Sequence, residues 1–84
     1  MSGMKGINVA KLAWLGSHGG PKTRINLTTE GWTAVPASGP ENDAEISRGA
    51  NPEEAAAARI ELLESLGIFV PEPPADYVER VTRE

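Results

Sequence analysis

The length and composition of this chain exclude several ways of stabilising a fold. Its 84 residues suffice for one small domain, and such a chain buries only about 60–65 % of the surface that its unfolded form exposes. The chain has no cysteine and one histidine, His18, so disulfides are excluded and a structural zinc site is disfavoured. We therefore predict no cofactor, and a homo-oligomer is a favoured way to bury more surface.

Charge is unevenly distributed along the chain. Residues 1–39 carry four basic and one acidic side chain, whereas residues 40–84 carry four arginines and eleven acidic side chains. This separation favours a basic protein partner for the acidic half, and it lacks the dense cations that nucleic acid requires. No stretch of 18 apolar residues and no signal peptide is present, so we predict a cytoplasmic protein without membrane contact.

The first segment, residues 7–15, fits two structures. In one, Asn8 caps a short helix that Gly16 ends. In the other, Leu12 and Trp14 share one face of a strand. The periodicity of so short a segment does not distinguish them.

A β-hairpin is predicted next. Residues 23–29 alternate as a strand, with Ile25 and Leu27 on one face, and the threonines suit a half-buried sheet. Gly31 belongs to a tight turn, after which residues 32–35 return as the second strand.

The best-defined element is an amphipathic helix with both ends specified. Asn51 is a preferred N-cap, and Glu54 stands at the spacing of a capping box. At the other end Gly67 is placed for a left-handed cap, and Ile68 for the contact with Leu63 that completes a Schellman motif.

This helix has an apolar arc, with Glu61 and Glu64 on the solvated side. The arc consists of Leu62, Ala55, Leu66, Leu63, Ala56 and Ile60. Arg59 projects from the middle of the arc. Either its stem packs and its head reaches water, or it contacts an acidic group of a partner.

Three short segments follow the helix. Residues 68–70 are apolar and form either a last strand or a clip over the core, and the prolines of residues 71–74 favour polyproline II. Asp76 and Glu79 repeat the capping-box spacing at the start of a final helix. That helix is too short to be stable alone, so it must dock on its own core, a second copy or a partner.

Together these elements predict an α+β fold, in which a small antiparallel sheet of three to four strands packs on one amphipathic helix, residues 51–66. Residues 44–47 would add a short edge strand, and residues 7–15 another if they are extended. We predict one domain over residues 1–70, followed by a Pro-rich linker and a short C-terminal helix over residues 71–84.

The motifs do not indicate catalysis, and we predict that the protein is not an enzyme. The sequence Ser17-His18-Gly-Gly is similar to the HGG-type loops of lipases, but the G-x-S-x-G nucleophile elbow is missing. Adjacent Ser and His side chains are not thereby a nucleophile and base, so a turn is the better interpretation. No phosphate-binding glycine motif is present.

Nucleic-acid binding is disfavoured by charge. A β-meander followed by an alanine-rich helix resembles the C-terminal half of a double-stranded-RNA-binding domain, which has a lysine cluster at the start of this helix. Here Glu53 and Glu54 occupy that position. We expect Trp14 and Trp32 to belong to the core rather than to stack on bases.

A different family resemblance begins at Gly31. The chain there has the order Gly-Trp-x-Ala-x-Pro, a polar loop, a short strand, Gly49, and then Asn-Pro-Glu-Glu-Ala from Asn51. Over residues 31–66 this order resembles the N-terminal half of HicB-type antitoxins. The resemblance implies a module that binds and occludes a basic partner and carries no catalytic residues. Residues 71–84 are too short and too acidic to be the DNA-binding domain usual in that family.

We therefore predict a small acidic protein-binding or regulatory module, antitoxin-like or an inhibitor of a mobile element or phage. One alternative is a structural subunit that forms a homo-oligomer through the apolar helix face and the C-terminal segment. Another is a small enzyme with a site between subunits. The residues predicted to contact a partner are Arg59, Glu61, Glu64, Tyr77, Val78 and Val81.

Overall fold

The computed structural model describes residues 6–82, with side chains up to residue 81. The elements in chain order are helix α1 (Ile7–Ser17), strands β1 (Thr23–Thr28), β2 (Gly31–Pro36) and β3 (Ser47–Gly49), and helices α2 (Pro52–Ser65) and α3 (Ala75–Thr82). The three strands form one antiparallel sheet in the order β1–β2–β3. The predicted α+β class is therefore confirmed.

The first segment is a helix, so the strand interpretation of residues 7–15 is wrong. The helix differs from the predicted one at both ends, because Gly6 is its N-cap and it continues past Gly16 to Ser17. Gly6 has a φ of 85° and supplies no side-chain cap. Asn8 lies in the first turn, where its backbone amide donates to the carboxylate of Glu53, 45 residues away. A tertiary contact therefore performs the capping that was assigned to Asn8.

The predicted hairpin is present, with Ile25 opposite Ala34 and Leu27 opposite Trp32. Its turn lies one residue earlier than predicted, at Thr29 and Glu30, and Gly31 belongs to β2. Ser47 lies opposite Ala34 on the other side of β2, so Ile25, Ala34 and Ser47 point to the same face of the sheet.

The edge strand begins later than predicted. Residues 44–47 were expected to be extended, but Asp43–Glu45 form a 3-10 turn and the strand starts at Ser47. The side chain of Asn42 accepts a hydrogen bond from the amide of Ala44 at 3.0 Å. This local cap favours the turn over an extended backbone.

Both predicted ends of α2 are confirmed. Asn51 Oδ1 accepts from the amide of Glu54 at 2.9 Å, while Glu54 Oε1 accepts from the amide of Ala50 at 3.0 Å, one residue before the cap itself. At the other end Gly67 has a φ of 86°. The amide of Ile68 donates to the carbonyl of Leu63 at 3.0 Å, and this is the bond of the Schellman motif that spans more residues.

Helix α2 packs between the sheet and α1, and this packing requires a glycine. A Cβ atom at Gly49 would lie 2.4 Å from the backbone nitrogen of Ala55, so only glycine lets β3 approach the first turn of α2. The buried residues that form the core cluster are Leu12, Leu15, Ala56, Ile60, Leu63 and Val70. Of the predicted apolar arc, Ala56, Ile60 and Leu63 therefore face the interior of their own chain.

The residues after α2 form a clip over the core and not a strand. Val70 belongs to the core and Ile68 packs against it, whereas residues 68–74 have no helix or strand assignment. Helix α3 then packs on α1, where Tyr77 meets Trp14 edge to face with ring centroids 4.8 Å apart. Of the three docking choices for this helix, the structure shows docking on its own chain.

Candidate protein-binding surface

Two large apolar side chains are exposed at the C-terminal end of α2. Phe69 is 80 % exposed and Leu66 is 66 % exposed. The left-handed turn at Gly67 places them there, because it ends the helix at Leu66 and directs Ile68 toward the core. Val70 belongs to the core and Ile68 packs against it, while Phe69 between them faces outward.

Exposed acidic side chains precede these apolar residues in the chain. Glu61 and Glu64 are both exposed in the last turns of α2. We call Glu61, Glu64, Leu66 and Phe69 the acidic–apolar patch. An exposed apolar group flanked by charged residues is a feature of protein–protein contact sites.

Sequence reasoning missed Leu66 and Phe69. It assigned Leu66 to the apolar arc, although the buried residues of α2 end at Leu63, and it treated residues 68–70 as one apolar unit. The alternation of side chains in an extended segment was the signal available, since Ile68 and Val70 then face one side and Phe69, between them, faces the other.

Arg59 lies away from the acidic–apolar patch. It is only 4 % exposed, and its Nε donates to Oγ1 of Thr23 on the sheet at 3.2 Å. Burial lowers the pKa of the Arg59 guanidinium, and the negative charge of Glu45 acts in the opposite direction. Arg59 is therefore held between α2 and the sheet of its own chain, with its head neither extended to water nor directed at a partner.

The three predicted residues of α3 form a separate group. Tyr77, Val78 and Val81 are half-buried, in the helix that packs on α1. The guanidinium of Arg80 lies over the ring of Tyr77, 5.6 Å from its centroid. Of the six residues predicted to contact a partner, only Glu61 and Glu64 belong to the acidic–apolar patch.

Ser17 and His18 close the C-terminal end of α1. Nδ1 of His18 lies 2.8 Å from the carbonyl oxygen of Trp14, to which the hydroxyl of Ser17 donates at 3.0 Å. The His18 ring also stacks on the Trp14 ring, with centroids 3.9 Å apart. Both polar side chains are exposed, so the geometry is that of a helix end where side chains satisfy the last carbonyls.

The acidic side chains of the described residues are exposed or half-buried, and Glu53 makes a structural contact. Among residues 6–82, Glu45 and Glu53 are half-buried and the other acidic side chains with described burial are exposed. Glu53 accepts from the amides of Asn8 and Val9 at 2.5 and 3.3 Å.

The described residues contain no cluster of three or more His, Cys, Asp or Glu side chains that could hold a metal ion. No helix of the described chain has the length and apolar character needed to cross a membrane.

An open groove lies between the C-terminal half of α1 and the start of β1, on a basic part of the molecule. Lys22 and Arg24 line it, together with apolar residues such as Leu12. Nη1 of Arg24 donates to the carbonyl of Ala37 at 3.0 Å. The residues that line the groove include no carboxylate, so it differs in charge from the acidic–apolar patch.

No family model, curated protein or solved structure matches this chain.

Proposed function

We propose that the protein is a small non-enzymatic protein-binding module, antitoxin-like or an inhibitor of a mobile element or phage, which binds a basic partner through the acidic–apolar patch. The observation that carries this proposal is the exposure of Phe69 and Leu66, which follow the exposed Glu61 and Glu64 closely in the chain. The resemblance of residues 31–66 to HicB-type antitoxins agrees with it.

The apolar residues supply the binding energy in this proposal. Burial of a Phe or Leu side chain contributes about 1.5–3 kcal/mol, and most of this contribution is unused while Phe69 remains 80 % exposed. Buried aromatic residues near the centre of an interface often dominate its affinity. Phe69 is therefore the anchor, and Leu66 extends the apolar contact.

The acidic residues determine which partners bind. Glu61 and Glu64 repel acidic surfaces and attract basic ones, which raises the association rate and makes it sensitive to salt. A basic protein with an apolar pocket among its cations fits both parts of the patch. Arg59 has no place in this contact, because it is buried in its own chain.

Affinity capture from the native host, with matched variants of the purified chain, tests the proposal. We expect the wild-type chain to retain a basic protein that Phe69→Ser and Leu66→Ser lose, and Glu61→Lys/Glu64→Lys should lose it at low salt. Leu27→Ser is the matched control for Leu66→Ser, because Leu27 is also 66 % exposed but lies on β1. The proposal fails if every protein captured by the wild type is also captured by the patch variants.

The alternative of a structural homo-oligomer receives less support in its original form. That alternative used the apolar face of α2, where Ala56, Ile60 and Leu63 pack in the core of the same chain. It also used the C-terminal segment, which packs on α1. Self-association through other surfaces is therefore the better proposal.

A further inference from the structure

Strand β1 is a regular edge strand with only one of the usual features that protect an edge, a single charged side chain. In the described part of the chain, the backbone of β1 pairs with β2 alone. The strand has six residues and contains no proline, no acidic side chain and one charged residue, Arg24. The opposite edge strand, β3, has only three residues. Proteins protect their edge strands with prolines, bulges or inward charges, so a regular edge without them is suited to pairing with another strand.

An apolar side chain marks this same edge. Leu27 is 66 % exposed, although it shares a face with Ile25, which packs against the core. Within its own chain Leu27 lies opposite Trp32 on one side. Its other side is the free edge.

From these observations we propose that β1 pairs with β1 of a second copy, antiparallel and about a two-fold axis at Asn26, to give a continuous six-stranded sheet. Only residues that point to the same face can lie opposite each other, so the register must place even-numbered residues opposite even-numbered ones. Centring on Asn26 places Ile25 opposite Leu27 of the second copy, and Leu27 opposite its Ile25. Both exposed leucines are then covered by apolar side chains.

This register also satisfies the polar face of the sheet. Arg24 lies opposite Thr28 of the second copy, so the two arginines do not face each other. The two Asn26 side chains meet at the axis, where amide groups can donate to and accept from each other. A two-fold contact of this kind closes on itself and gives a dimer, not a fibre.

Cysteine cross-linking tests the register, because the native chain contains no cysteine. Asn26→Cys places two thiols across the axis at a Cα separation of about 4.5–5.5 Å, which a disulfide spans. Arg24→Cys is the matched control on the same strand and face, where the two copies would lie about 14 Å apart. We expect a disulfide dimer with Asn26→Cys and none with Arg24→Cys. Equal cross-linking of both, or of neither, overturns the proposal.

Self-association of the wild-type chain supplies the second test, by sedimentation equilibrium across a dilution series. We expect a monomer–dimer equilibrium that Leu27→Ser weakens about tenfold, since the symmetric interface loses two apolar contacts. Asn26→Lys, which opposes two cations at the axis, should weaken it about fivefold or more. Leu66→Ser should leave it unchanged, with circular dichroism confirming that each variant is folded.

A monomer at every concentration overturns the dimer, as does a dimer that Leu66→Ser breaks and Leu27→Ser does not. A monomer does not bear on capture of a basic partner, which depends on Leu66 and Phe69, whereas a dimer that Leu66→Ser breaks would assign Leu66 to self-association instead. The failures of the two proposals are therefore distinguishable.

Discussion

The contact between Glu53 and the start of α1 gives the most specific prediction about stability. The Glu53 carboxylate accepts from the amides of Asn8 and Val9 at 2.5 and 3.3 Å. Gly6, the N-cap residue of α1, has no side chain to do so. A carboxylate at this position also interacts favourably with the positive end of the helix dipole. Glu53 therefore caps a helix other than the one that contains it and ties α1 to α2.

Replacing Glu53 with alanine leaves the two amides without their carboxylate. Loss of an N-cap side chain costs about 0.5–2 kcal/mol, and a hydrogen bond to a charged group contributes about 1.5–3 kcal/mol when buried. Because Glu53 is half-buried, water replaces part of the lost interaction. We expect the free energy of unfolding to fall by about 1–2 kcal/mol. For a domain of this size that lowers Tm by about 5–15 °C.

Urea titration and thermal melting followed by circular dichroism measure this loss. Glu61→Ala is the matched control, because Glu61 is an exposed glutamate of the same helix, and it should change stability by less than about 0.5 kcal/mol. Glu53→Gln should recover part of the loss, since an amide oxygen still accepts a hydrogen bond. If Glu53→Ala and Glu61→Ala melt together, the capping argument is incorrect.

Substitutions at Gly49 and Arg59 test the packing around α2. Gly49→Ala should destabilise the fold by about 2–3 kcal/mol in urea titration, because the added Cβ meets the backbone of Ala55. Gly16→Ala should cost less, because its added Cβ would lie 3.3 Å from the side chain of Lys22 and would overlap no backbone atom. Arg59→Leu should stay within about 1 kcal/mol of the wild type, whereas Arg59→Ala should cost about 2–3 kcal/mol, because the packed stem outweighs the single bond to Thr23. Equal losses for both Arg59 variants would show that the polar contact dominates instead.

Local chemistry explains why some elements were predictable from the sequence. The cap residues of α2 act within one turn of the helix, so Asn51 and Gly67 specify its ends without help from the rest of the chain. The β1–β2 hairpin is equally local, since a two-residue loop joins strands with alternating side chains. The predictions for these elements were correct because their deciding interactions lie close in sequence.

Tertiary contacts decided the features that the sequence left open. Residues 7–15 suit both a helix and a strand, and the helix is capped by Glu53, from a distant segment. The start of β3 is different, because a local contact decides it: the side chain of Asn42 accepts from the amide of Ala44 and stabilises a turn where an extended backbone was predicted.

The candidate site shows the same division between local and tertiary determinants. Glu61 and Glu64 were predictable as exposed residues because helical periodicity places them opposite the apolar arc. The periodicity also placed Arg59 inside that arc, but only the folded chain shows its contact with Thr23 on the sheet. Leu66 and Phe69 are exposed because the chain turns at Gly67, and after this turn Ile68 and Val70, but not Phe69, pack in the core. The sequence by itself determined where α2 begins and ends, and the tertiary structure decided which of its apolar neighbours remain outside, because burial depends on what packs against each residue.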